Sequence, residues 1–183
     1  MKHGIRICVV LMLVCTLMTA ALAAINAVTA PLIEKGEQQK RNDSLSDFFP
    51  IMVSSQANES DIASVSAVYT VFGAESDIIG YCVDVTETGY AGDVSMMVAV
   101  SEEGAILGVS LVSHSETKGL SEKKEASALC DRFEGKTGQQ KFTENGGSID
   151  KIAGATYSSR AVLNGVNHAL AAVSALMEGG ASS

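Results

Sequence analysis

The stretch VSMMVAVSEEGAILGVSLVS, residues 94–113, decides the fold. Valine-rich apolar runs form its two halves, Val94 to Ser101 and Ala105 to Ser113, and Glu102-Glu103-Gly104 lies between them. Two such runs joined by a short turn that contains glycine are typical of a β-hairpin. Because the strands of a hairpin are antiparallel, this stretch predicts an antiparallel sheet.

Segments on both sides of the hairpin extend this prediction. Upstream, Val65 to Phe72 and Ile78 to Val85 have the near alternation of β-branched and aromatic residues expected of strands, with a turn at Gly73 to Asp77. Downstream, Leu120 to Phe133 and Ser158 to Met177 repeat apolar residues at helical spacing. Strands in adjacent pairs with separate helices predict an α+β domain, an antiparallel sheet with helices packed on it.

The remaining segments are predicted to be connections. Pro31 to about Phe49 is charge-rich with scattered apolar residues, and we expect a helix and connector that end at Pro50. Ser54 to Ser66 is small and polar, which predicts a loop with some loose helix. Gly135 to Gly147 is also expected to be a loop.

The N-terminal segment predicts a membrane anchor. Ile5 to Ala24 has one charge, Arg6, and is otherwise apolar or small, and it is long enough to cross about 30 Å of hydrocarbon. Lys2 and Arg6 precede the apolar run, whereas Glu34 and Glu37 follow it. The positive-inside rule therefore favours a cytoplasmic N-terminus and a globular part outside the membrane.

A cleaved signal peptide is the rival interpretation, because Ala21-Leu22-Ala23 resembles a cleavage site. The apolar run is longer than in a typical signal peptide and apolar residues continue to Val28 and Leu32, so we favour a retained anchor. The predicted organisation is a cytoplasmic N-terminus and transmembrane helix over residues 1–30, a partly helical connector over 31–64 and an extracytoplasmic domain over 65–183.

Charge and composition exclude several kinds of site. The chain has 21 acidic and 13 basic residues and a net charge of −8, so no nucleic-acid partner is expected. It has no tryptophan, which excludes stacking of a ligand on indole. The cysteines form no C-x-x-C pair and the histidines are dispersed, so iron–sulfur, haem and metal sites are not expected. For Cys82 and Cys130, the sequence is compatible both with a disulfide and with two buried free thiols.

The clearest candidate site is Asp150-Lys151-Ile152-Ala153-Gly154-Ala155-Thr156, just before the last predicted helix. Free N–H groups and the positive end of the helix dipole attract anions at such a position. Thr156, Ser158 and Ser159 add hydroxyls to that end, and the preceding glycine and alanine allow close approach to the backbone. The motif predicts a phosphate site with a threonine oxygen within bonding distance. An ordinary capped helix is the alternative interpretation.

This motif resembles a known attachment site for flavin mononucleotide (FMN). The G subunit of Rnf complexes and the C subunit of sodium-translocating NADH:quinone reductase have similar Asp-x-x-(Ser/Thr)-Gly-Ala-Thr motifs, whose last threonine forms a phosphoester with FMN. The resemblance implies Thr156 as the acceptor, Asp150 as the acidic recognition residue, and Gly154 and Ala155 as the turn. The chain departs from the pattern at Ala153, where the family has Ser or Thr.

Further blocks of the G-subunit family occur in the same order along the chain. This chain has Lys118 where the family has proline in the block His-x-Glu-Thr-Pro-Gly-Leu. The matching blocks are Gly89-Tyr90-Ala91-Gly92, Gly104-Ala105-Ile106-Leu107-Gly108-Val109, His114-Ser115-Glu116-Thr117-Lys118-Gly119-Leu120 and Phe133-Glu134-Gly135-Lys136. Several blocks in one order are more specific than a single heptapeptide.

The resemblance implies a second part of the site. It places Glu116, Thr117, Gly119 and Leu120 over the flavin, and Tyr90 is a candidate to stack on its ring. From the residues alone, the alternatives are a helix cap for Thr117, a solvated charge for Glu116, a core position for Leu120 and a turn position for Tyr90.

The function implied by the resemblance is electron transfer. The chain would carry covalent FMN as a subunit of an Rnf-type ion-translocating ferredoxin:NAD⁺ oxidoreductase in the bacterial cytoplasmic membrane. Its partners would be the other membrane and soluble subunits of the complex, a flavin transferase during maturation, and membrane lipid. The sequence has no motif that indicates an acid–base or nucleophile–base pair, so we expect an electron carrier that does no catalysis by itself.

Other functions stay open at this point. One is a stand-alone extracytoplasmic flavoprotein, and another is the C subunit of a sodium-translocating NADH:quinone reductase, although the length of 183 residues fits the Rnf protein better. A different class is a non-redox envelope binding module, whose glycine–alanine turn would only cap a helix.

Overall fold

The computed structural model describes the backbone of residues 2–116 and 120–180. The chain forms two compact units, Met1–Gln39 and Lys40–Ser183. A single helix, α1 (Lys2–Phe48), contributes to both.

The first unit is the apolar part of α1. The large apolar side chains that the structure describes in it, such as Leu11 and Leu17, are exposed, and the most apolar window has a mean hydropathy of 2.3 and is 0% buried. By length and composition this helix can cross a membrane, as predicted. Pro31 lies inside the helix and does not end it, so the predicted continuation from Pro31 to the region of Phe49 is confirmed.

The second unit is built on one antiparallel sheet, which confirms the predicted α+β class. Its strands follow the chain in order, and each pairs with the next. The strands are β1 (Ser54–Asn58), β2 (Val65–Phe72), β3 (Ile78–Thr88), β4 (Asp93–Val100) and β5 (Ile106–His114). The predicted hairpin is β4 and β5, in which Val98 lies opposite Val109.

The prediction of a loop at Ser54 to Ser66 is wrong for its first part. Strand β1 pairs with β2 from Ser54 opposite Phe72 to Asn58 opposite Val68. Four of its five side chains are exposed, so it has no buried face to produce an apolar alternation. This strand forms through backbone hydrogen bonds to the edge of β2, and such bonds leave no pattern in the side chains from which the strand could be predicted.

Two helices follow the sheet, with bounds that differ from the predicted ones. α2 covers Lys123–Cys130 and continues as a 3₁₀ turn over Asp131–Phe133, so the predicted helix from Leu120 is shorter at its start. α3 covers Thr156–Gly180 and therefore begins at the candidate acceptor itself. A second 3₁₀ turn, Thr143–Asn145, lies in the predicted loop before it.

The sheet separates two apolar cores. One core joins the sheet to α2 and α3, and buried residues such as Val83, Val98 and Val166 belong to it. The other core joins the opposite face to the end of α1, where Leu45, Phe48 and Phe49 meet buried sheet residues. Alternate residues of each strand point to opposite faces, which explains why the central strands are apolar on both sides.

The two cores decide whether Cys82 and Cys130 form a disulfide or are separate buried thiols. Cys82 belongs to the core beside α1, whereas Cys130 belongs to the core beside α2 and α3. Both are free and buried. Burial, reinforced by the neighbouring charge of Asp84, raises the pKa of the Cys82 thiol to about 12. Burial likewise raises the pKa of Cys130 to about 12, with a smaller effect of Asp131. Both sulfurs are therefore protonated and unreactive at neutral pH.

Polar contacts fix the last turns of α1 on the sheet. Arg41 Nε lies 2.7 Å from Oδ2 of the buried Asp84. Lys40 Nζ donates a 3.0 Å hydrogen bond to the carbonyl oxygen of Val112, in β5. A charged pair with one buried partner is costly to break, so these contacts set the position of the helix end.

Gly108 is expected to be required for the packing of α1 on β5. A Cβ at this position would lie 3.1 Å from Cδ1 of Phe48 and closer still to Cε1. We expect Gly108→Ala to lower the free energy of unfolding by about 1–3 kcal/mol, measured by chemical denaturation followed by circular dichroism. The cost should shrink in a Phe48→Leu background, where the ring is absent. An equal cost in both backgrounds would contradict a clash with Phe48.

Candidate functional site

The motif at residues 150–156 forms a tight turn into α3. Gly154 has φ +77°, a left-handed conformation that favours glycine. The N–H of Ala155 donates to the carbonyl of Ile152 at 3.1 Å, and the carbonyl of Ala155 accepts the N–H of Ser159 at 2.9 Å. The N–H groups of residues 156–158 precede this first helical bond and have no acceptor within the helix.

A cavity of about 380 Å³ opens beside this turn. Its walls come from three places in the chain: the turn between β3 and β4, the residues after β5, and the start of α3. The lining residues are Tyr90, Glu116, Gly154, Ala155, Thr156, Tyr157 and Ser158. Small-molecule sites in proteins have volumes of roughly 300–1,000 Å³, so the cavity has the size of a ligand site.

Glu116 joins the three walls. Its Oε1 accepts hydrogen bonds from the backbone N–H groups of Tyr90, at 2.6 Å, and Ala91, at 3.0 Å. Its Oε2 accepts a short hydrogen bond from the hydroxyl of Ser158, in the first turn of α3. The residue is 6% exposed. A buried carboxylate with three donors is a strong structural link, because each bond involves a charge.

Burial by itself would raise the pKa of Glu116, and the hydrogen bonds act against it. The hydroxyl of Ser158 and the N–H groups of Ala91 and Tyr90 together outweigh the effect of burial, so the pKa is lowered. Glu116 is therefore a carboxylate at neutral pH. Its oxygens are engaged by protein groups, which makes it a residue that shapes the cavity.

Thr156 is the residue that connects the cavity to the helix end. It is the first residue of α3, it is half-buried, and it lines the cavity. Ser158 also lines the cavity but is 2% exposed and donates to Glu116. A hydroxyl at the first helical position has free N–H groups around it, which is the arrangement that binds a phosphate ester.

The structure places three other predicted residues away from the cavity lining. Ser159 is 0% exposed, and its Oγ accepts the N–H of Ile152 at 3.0 Å, so this hydroxyl closes the turn from inside. Leu120 is 1% exposed and lies in the core, which is the alternative interpretation considered above. Asp150 is exposed, and its Oδ1 accepts the hydroxyl of Thr143 at 2.9 Å. Thr117 and Gly119 lie outside the described residues.

Two tyrosines stand at the mouth of the cavity. Tyr90 is 74% exposed and Tyr157 is 63% exposed, and their ring centroids are 6.1 Å apart. Sequence reasoning proposed Tyr90 and missed Tyr157. The only signal in the sequence was its position directly after the candidate acceptor, and it is the structure that places Tyr157 in the cavity lining beside Tyr90.

Comparison with known proteins establishes the family. The family model of the FMN-binding domain matches residues 89–171, a range that includes all seven residues of the cavity lining. The chain is 31% identical over 180 residues to the G subunit of the ion-translocating oxidoreductase complex of Stutzerimonas stutzeri, covering 86% of this chain and 75% of that protein. The chain belongs to this family of G subunits. The predicted resemblance is thereby confirmed.

Two further relatives cover nearly the whole chain. The G subunit of the Na⁺-translocating ferredoxin:NAD⁺ oxidoreductase complex of Acetobacterium woodii is 27% identical, over 91% of this chain and 89% of its own. The G subunit of the proton-translocating ferredoxin:NAD⁺ oxidoreductase complex of Clostridium ljungdahlii is also 27% identical, over 92% of this chain and 91% of its own. This G-subunit family member thus matches both relatives over most of its own length and most of theirs.

The lowered pKa of Glu116 predicts a pH-dependent contribution to stability. The contribution is complete above the ordinary carboxyl pKa of 4.5 and is lost as the pH falls through the lower folded-state value. We expect Glu116→Gln to lower the free energy of unfolding by about 1–2 kcal/mol at pH 7, since the charge-assisted bonds are replaced by neutral ones. The difference from wild type should shrink towards zero below pH 4.5.

Denaturation curves of both proteins over a pH series measure this difference. Glu125→Gln, which neutralises an exposed carboxyl on α2, is the matched control. A difference that does not change with pH for Glu116→Gln would contradict the role of its charge.

Proposed function

We propose that this G-subunit family member carries FMN as a phosphoester of Thr156 and transfers electrons within an Rnf-type ion-translocating ferredoxin:NAD⁺ oxidoreductase. The observation that carries the proposal is the position of Thr156, which is both the first residue of α3 and part of the cavity wall. The same residue therefore offers an oxygen for the bond and a helix end for the phosphate charge.

The residues around the cavity fit FMN. Gly154 and Ala155 form the turn before the acceptor, and the first-turn N–H groups of α3 have no acceptor within the helix and are available to a phosphate on Thr156. Glu116 is the buried negative charge nearby, and its three hydrogen bonds compensate it. Tyr90 and Tyr157 supply aromatic surface for a planar ring.

The chain's own task in electron transfer is positioning. A bound flavin supplies the redox chemistry, and the protein sets where it is held and what charges surround it. A covalent link makes retention intramolecular, which keeps the cofactor at a high effective concentration in an open cavity outside the cell membrane. Glu116 and Ser158 are bonded to each other, so neither is placed as a proton donor to the cavity.

The apolar helix and the family support a place in the membrane. We propose that residues 1–30 supply a cytoplasmic N-terminus and one transmembrane helix, that the part of α1 after residue 30 connects, and that the cavity lies in an extracytoplasmic domain whose sheet includes β1. The partners are then the other membrane and soluble subunits of the complex, membrane lipid, and a flavin transferase that attaches FMN. The names of the relatives support the complex, since each belongs to an oxidoreductase that translocates ions.

The test of covalent attachment is the intact mass of the full-length chain, produced in a host that carries a flavin transferase. We expect the mass to increase by that of FMN minus one water, with flavin fluorescence in a denaturing gel. Thr156→Ala should abolish both, because it removes the only oxygen of that side chain. Thr137→Ala, at an exposed threonine away from the cavity, is the matched control and should keep the full flavin content.

An unmodified, dark wild-type chain from a host that flavinylates another substrate would overturn this function. Modification that persists in Thr156→Ala would instead overturn the assignment of the acceptor.

Asp150 is proposed as the residue that the transferase recognises. Its side chain is exposed six residues before the acceptor, and the hydroxyl of Thr143 holds it in place. We expect Asp150→Asn to lower the flavinylated fraction severalfold while Thr156 is intact, measured by intact mass after a short expression time. Asp131→Asn, at an exposed aspartate on the 3₁₀ turn after α2, is the control. Equal fractions in both variants would contradict recognition through Asp150.

A further inference from the structure

Tyr157 has surroundings that covalent attachment alone does not explain. It lines the cavity directly after Thr156, yet 63% of its surface is exposed. A tyrosine can bury about 150–250 Å² when it is covered, and this residue leaves most of that surface open. Tyr90, 74% exposed, faces it across 6.1 Å with the ring planes 42° apart. The two rings are close enough to contact each other, and the exposed remainder of Tyr157 is surface that a further flat group can cover.

Arg160 holds the ring of Tyr157 from the helix side. Its guanidinium carbon lies 5.8 Å from the centre of the ring. Residues three apart on a helix are neighbours, so the spacing of Tyr157 and Arg160 in α3 produces this contact. A cation over an aromatic face restricts the ring, since the positive charge is attracted to the electron-rich face. The contact therefore favours one orientation of the ring before any ligand is bound.

We propose that Tyr157 is the platform on which the isoalloxazine ring of FMN rests, and that Arg160 is the positioning residue that holds this platform. This role rests on the proposed function, because the flavin is carried by the preceding residue, Thr156. The phosphate end is fixed at the helix N-terminus, and the ring is fixed by stacking on the next side chain. Tyr90 closes the same space from the turn between β3 and β4.

Flavin fluorescence tests the contact without measuring activity. A phenol in contact with the ring quenches its fluorescence, because the phenol gives an electron to the excited flavin and takes it back with no net change. The measured quantity is the fluorescence of the flavinylated full-length chain when folded, divided by that of the same sample after denaturation. This ratio does not depend on how much flavin each variant carries.

We expect a low ratio for wild type and a severalfold higher ratio for Tyr157→Phe, which keeps the ring but removes the phenol. Tyr69→Phe, at a half-buried tyrosine on β2, is the matched control and should leave the ratio unchanged. Arg160→Met should raise the ratio partly, since the ring of Tyr157 is then no longer held. A purely structural role of Arg160 on the surface of α3 would not change it.

The outcomes separate the two proposals. An unmodified wild-type mass overturns the covalent function and this role with it. If wild type is flavinylated but has the same fluorescence ratio as Tyr157→Phe, the role of Tyr157 is overturned and the covalent attachment stands. If the fluorescence ratio rises in Tyr90→Phe and not in Tyr157→Phe, the flavin contacts Tyr90, and this result also overturns the proposed role of Tyr157.

Discussion

The site depends on one buried carboxylate. Glu116 receives hydrogen bonds from two backbone N–H groups of the turn between β3 and β4 and from the hydroxyl of Ser158 in α3. These partners are 26, 25 and 42 residues away in the sequence. A carboxylate accepts bonds in several directions at once, so one side chain can join the segment after β5 to the turn between β3 and β4 and to the start of α3. The walls of the cavity are the surfaces of those segments.

The sheet supplies the rigidity behind this link. Its two faces are both covered, by α2 and α3 on one side and by the end of α1 on the other. α3 buries Val162, Val166 and Val173 against the sheet, which fixes the direction of its first turn and therefore the position of Thr156. Packing of a long helix on a sheet is stronger than any contact at the site, so the acceptor is positioned by the core.

The three hydroxyl groups at the start of α3 point in different directions. Thr156 faces the cavity, Ser158 bonds to Glu116, and Ser159 turns inward to the N–H of Ile152. Successive residues of a helix point about 100° apart, so neighbouring hydroxyls cannot all face one ligand. The start of α3 therefore contains one candidate acceptor, Thr156, and two serines whose hydrogen bonds hold the turn and the helix end in place.

The sequence by itself determined the parts that local patterns encode. Near alternation predicted β2 and β3, and two apolar runs around a turn with glycine predicted β4 and β5. Helical spacing predicted α3, and the turn with Gly154 predicted Thr156 at a helix end. The tertiary structure decided the rest. It made an exposed polar segment into β1, placed Cys82 and Cys130 in separate cores, moved Leu120 into the core and brought Tyr157 to Tyr90. The physical reason is the distance along the sequence between the interacting residues. Periodicity indicates which face of a helix or strand is buried. Pairing at a sheet edge and the hydrogen bonds to Glu116 join residues that are far apart in the sequence, and no periodic pattern predicts such contacts.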